Sequence, residues 1–116
     1  MANVTDAGRF GRGAFPFLAD FVRGYFHEDF RLEHRTPFKA TEHFIVASSP
    51  TERFEVAGDL RRFLMLTHAL PFPEVRLQIQ SLGSAWVPRG RVDLERILEL
   101  LSQGREAPER PPNPIR

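Results

Sequence analysis

Any chemistry in this chain has to come from a few histidines and a scatter of carboxylates, and they crowd most closely in FVRGYFHEDF, positions 21–30. Here His27, Glu28 and Asp29 stand side by side between aromatic residues. Three such groups on one metal ion or substrate atom would form a hydrolytic or metal site. On a helix, however, consecutive side chains point about 100° apart and cannot converge. A helical zinc pair needs histidines at i and i+4, and the four present, at 27, 34, 43 and 68, give no such spacing. No serine sits in a GxSxG elbow. GRFGRG has neither the preceding strand nor the lysine that would make it a phosphate loop. Glu28 with Asp29, or Glu33 with His34, has the composition of an acid–base pair, but in so charged a chain it reads first as solvated surface. The expectation is no catalytic residue, no metal and no cofactor. In the plainer reading Asp29 accepts backbone amides of the following turn or pairs with an arginine, and His27 bonds a terminal helix carbonyl.

The elements around this string are predicted from spacing and punctuation. Leu18, Phe21, Val22, Tyr25 and Phe26 make an i, i+3, i+4, i+7, i+8 stripe after Pro16. Thr36 as N-cap and Pro37 at N1 open a second helix carrying Phe38, Thr41, Phe44 and Ile45. In SPTE, Ser49 and Glu52 form a capping box for a third, with Val56, Ala57, Leu60, Phe63, Leu64 and Thr67 inward and PFP at 71–73 ending it. EVRLQIQ alternates like a strand, yet Val75, Ile79 and Leu82 also fit a helix closed by Gly83; with helices on every side, the helix is favoured. Asp93 is expected to cap a last helix of Leu94, Ile97, Leu98 and Leu101, stopped by Gly104. The sum is an all-α, single-domain bundle of five short helices over residues 13–103, with 1–12 and the Pro-rich 104–116 expected to be unstructured.

Composition narrows the function. There are 116 residues, no cysteine, eleven phenylalanines and a net charge of +1. The absence of cysteine excludes a disulfide framework, a thiolate zinc site and a cysteine nucleophile. No run approaches a membrane span, and MANVTDAGRFGRGA lacks the apolar core of a signal peptide, so a cytoplasmic protein is expected.

The run FPFLADFVRGYFHEDF, with its Tyr-Phe-His-x-Asp-aromatic core, resembles the opening helix of the CdiI-type immunity proteins of bacterial contact-dependent growth inhibition, which typically show YFHQDW there. TPFKATEHFI is similar to their second helix, and SLGSAWVPRG to a Leu-Gly, aromatic, Pro-Gly turn before the last one. The likeness covers about residues 15–103. Glu28 stands where glutamine is usual and Phe30 where tryptophan is usual, and the last helix lacks a tryptophan often seen there. The resemblance implies a small helical protein that binds the C-terminal domain of one cognate toxin, a ribonuclease for some members. Its motif positions here are Tyr25, Phe26, His27, Asp29 and Phe30, then Gly83, Trp86, Pro88 and Gly90, and they serve either the fold or the contact.

Charge is unevenly laid out. Residues 20–59 hold eight acids against five bases, whereas 60–91 hold one acid against five bases. Inhibitors of nucleases often present carboxylates where the enzyme expects phosphates. Asp20, Glu28, Glu42, Glu52, Glu55 and Asp59 are therefore the candidate toxin-binding residues. The rival class is nucleic-acid binding through Arg61, Arg62, Arg76, Arg89 and Arg91, with Trp86 and Phe72 stacking on bases. A single lysine and no recognition helix count against it, as they leave a generic adaptor open.

Overall fold

The computed structural model describes residues 13–29 and 34–109, all of whose regular elements are helices. They are α1 (Pro16–Tyr25), α2 (Pro37–Ala47), α3 (Pro50–Leu66), α4 (Phe72–Ser81) and α5 (Arg91–Glu109). The ambiguous EVRLQIQ is helical, with Val75, Ile79 and Leu82 buried and Gly83 at φ +111° turning the chain out of α4.

Helix starts follow the sequence closely. Proline occupies the first turn of α1 to α4, where its missing N–H has no helical partner to lose. Thr36 accepts from the Lys39 amide at 3.0 Å. Ser49 accepts from the Glu52 amide at 3.1 Å while Glu52 accepts from the Ser49 amide at 2.8 Å, completing the capping box.

Four boundaries differ from expectation. α1 ends at Tyr25, so His27, Glu28 and Asp29 lie in the turn after it and not on its surface. α3 ends at Leu66, and the prolines of PFP open α4 instead of closing α3. Asp93 sits at N3 of α5, one turn inside, where its carboxylate accepts from the Arg89 amide at 3.0 Å. α5 also continues past Gly104 to Glu109. A glycine stops a helix only where the chain turns left-handed; otherwise it is carried at about 1 kcal/mol relative to alanine. Phe30, Glu33, residues 1–12 and residues 110–116 lie outside the described residues.

α3 is the central element, packed against α5 on one side and α1 on another, while α2 crosses α5 and touches α1. Aromatic rings fill the core. Phe15 meets Phe63 edge-on at 5.5 Å, and Phe21 contacts Phe26 at 5.2 Å and Phe44 at 4.8 Å. Helix ends inside the bundle are tied by arginine. Arg53 donates to the carbonyls of Ile45 and Ser48, at 2.9 and 3.2 Å, closing α2. Arg91 donates to Leu64 and Thr67, at 2.8 and 3.2 Å, closing α3.

Candidate functional site

The stripe of α1 has a second edge. Phe17, Asp20, Phe21 and Tyr25 fall at i, i+3, i+4 and i+8, so they line one side of the helix. Facing them are Phe44 of α2 and Glu52, Glu55 and Val56 of α3, whose first turns run alongside. Together these eight residues bound an open groove of about 290 Å³ with an aromatic floor and three carboxylates. Among the described residues Asp20 makes only a long, exposed ion pair with Arg23, 3.8 Å apart, of the kind worth under about 1 kcal/mol. One oxygen of Glu52 is held by the capping box. Glu55 is half-buried on the next turn.

The other candidate acids do not join them. Glu42 is exposed on α2 and paired with Lys39 at 3.3 Å. Glu28 and Asp29 border a separate shallow depression with His27, Gln80, Gly83, Ser84 and Ala85. Asp59 is a correction to the acidic surface: it is 4% exposed and both its oxygens are taken. Oδ2 accepts from the amides of Phe17 and Leu18, at 2.8 and 3.1 Å, and Oδ1 accepts from Arg62 at 2.9 Å. It caps the start of α1 from across the core. Sequence gave one hint, since position 59 falls between Val56 and Phe63 on the inward side of α3.

The motif positions converge, but mostly inward. Phe26 is buried, packs against the tilted ring of the buried Trp86 at 5.1 Å, and accepts from the Ala85 amide through its carbonyl at 2.8 Å. Pro88 is buried, and Gly90 lends its carbonyl to the Asp93 amide at 3.1 Å. Gly83 turns where any Cβ would come within 2.3 Å of Arg23 Cγ. Asp29 donates its backbone amide to His27 Nδ1 at 3.1 Å. Tyr25 packs on Phe44 at 5.4 Å and stacks on His34 at 5.5 Å, and His34 shares a short Nδ1–Nδ1 hydrogen bond of 2.5 Å with His43. Sequence reasoning missed this pair, because a loop-to-helix contact leaves no periodic signal; it also missed Phe17, whose i, i+3, i+4, i+8 spacing with Asp20, Phe21 and Tyr25 could have found it. Among the described residues no group of three or more His, Asp or Glu could hold a metal ion.

Two arginines of the basic half are committed to the fold. Arg62 bonds Asp59 and the Ala14 carbonyl, and Arg91 closes α3. Trp86, the ring that base stacking would need, is 8% exposed.

This helical frame agrees with what comparison of the chain shows: the family described as CdiI immunity protein matches residues 14–83. The chain belongs to the CdiI immunity protein family. Comparison with curated proteins gave no match, and comparison with solved structures gave none. The matched range holds α1 to α4, the groove and the first motif string, and ends on Gly83; Trp86, Pro88 and Gly90 lie beyond it. As a CdiI immunity protein the chain neutralises a toxin and is not an enzyme. No helix among the described residues is long and apolar enough to cross a membrane.

Proposed function

We propose that this CdiI immunity protein acts in the cytoplasm by binding the C-terminal domain of one cognate toxin, a nuclease, and covering its active site with the acidic side of α1 and α3. No bond is made or broken in the process. The observation that carries the reading is the groove, where Asp20, Glu52 and Glu55 are presented together over an aromatic floor. A nuclease site is lined with cations that expect phosphate, and carboxylates held on rigid helices meet them with favourable long-range steering. Glu28 and Glu42 extend the same sign of charge beyond the groove, whereas Asp59 belongs to the core and is left out. Co-expression tests this. The toxin domain encoded directly upstream is induced with and without this chain; restored growth and intact nucleic acid are expected with it. Growth arrest despite a soluble, expressed immunity protein overturns the reading.

A further inference from the structure

Arg76 lies over the half-buried ring of Phe72 at 5.8 Å and Arg96 over that of Phe38 at 4.7 Å, so both rings carry a guanidinium supplied by the chain itself. Phe17, 42% exposed at the rim of the groove, has neither a cation over its face nor a ring against it among the described residues. Among the described residues, the groove that it borders is lined by three carboxylates and by no lysine, arginine or histidine. Its volume of about 290 Å³ falls at or below the small end of pockets that enclose drug-sized ligands, and it is open to solvent. That size suits one long side chain: an apolar stem on Phe21, Phe44 and Val56, with a charged head among the acids.

We propose that this groove receives an arginine side chain of the cognate toxin, an assignment that rests on the toxin-binding reading above. Arginine fits better than lysine for two reasons of geometry. Its planar guanidinium stacks on an aromatic face, and its forked donors reach two carboxylates at once, whereas an ammonium is a point charge that keeps its water. Asp20 must then exchange its loose pair with Arg23 for a stronger one. Glu52 and Glu55 need not move, because both ride on the first turns of α3 and Glu52 is already fixed by its cap. The arginine becomes the anchor of the interface, an exposed stem and head buried on complex formation.

The experiment measures Kd and dissociation rate of the full chain with the upstream-encoded toxin domain at physiological salt. Asp20→Asn combined with Glu55→Gln is expected to weaken binding on the order of 10-fold or more, mostly in the dissociation rate, and Phe17→Leu several-fold. Glu99→Gln, at an exposed position on α5 that is not among the residues lining the groove, should leave it within about twofold. Melting temperatures confirm that each variant is folded, and Phe17→Leu remains informative should the double variant not fold. Arginine-to-alanine scanning of the toxin should find one position whose loss is not additive with Asp20→Asn and Glu55→Gln. Unchanged affinity in folded variants, coupling to a toxin lysine, or self-association of this chain abolished by the same variants each overturns the proposal while toxin binding stands. No binding by the wild-type chain removes both.

Discussion

The carboxylate of Asp59 closes the start of α1 by accepting the backbone amide of Phe17 at 2.8 Å, across 42 positions of sequence. Two unsatisfied amides at a helix N-terminus and one buried charge thus solve each other. Asp59→Ala leaves both amides and Arg62 without that partner, and a loss of roughly 3 kcal/mol is expected, with Asp59→Asn about half as costly. Chemical denaturation of the three proteins checks the order. Equal midpoints would show that α1 needs no capping from α3.

A second tie is expected to be specific for guanidinium. Arg91 reaches Leu64 and Thr67 with different nitrogens, at 2.8 and 3.2 Å. Lysine has the charge but not the fork, so Arg91→Lys should cost about 1 kcal/mol and Arg91→Ala about 2 kcal/mol. Thermal melts distinguish these from a purely electrostatic role, in which lysine would be neutral.

Gly83 combines a left-handed turn with a close neighbour. Gly83→Ala should destabilise by about 2 kcal/mol, part from φ +111° and part from collision with Arg23. Adding Arg23→Ala removes the collision alone. The double variant is expected to recover some stability but not all, and full recovery would mean that the backbone is unstrained.

Association should respond to surface acids in proportion to their freedom. Glu55→Lys is expected to slow toxin association and to flatten its dependence on ionic strength. Glu52→Gln keeps the capping box, since glutamine also accepts from the Ser49 amide, and so tests charge without disturbing the helix. Stopped-flow association at two salt concentrations decides. Rates indifferent to both changes would discard the acidic face.

Much of this molecule was legible from local rules. Thr36, Ser49 and Glu52 announce their helices because a cap is decided within four residues. The segment around Val75 and Ile79 could be placed because an isolated strand has no sheet to join. What stayed hidden depends on distant partners. Asp59 looked like one more surface acid, and only its 42-residue reach to Phe17 shows otherwise. Arg91 enters the sequence reading only as one arginine of the basic half and Arg53 is not singled out there, yet both serve helix ends. The grouping of Asp20, Glu52 and Glu55, apart from Glu42 and Glu28, follows from how α1 lies along α3, which no periodicity encodes.

The capping box has a consequence for how such a protein can acquire a new adversary. Glu52 answers to two masters, for it begins α3 as well as bordering the groove, and most replacements there would loosen the helix before they altered recognition. Asp20, Glu55 and the ring of Phe17 hold no such duty to the scaffold. If the groove receives the toxin as proposed, divergence in partner choice is channelled into those three positions, and lineages that have switched opponents should vary there while the acid at position 52, or its amide, persists.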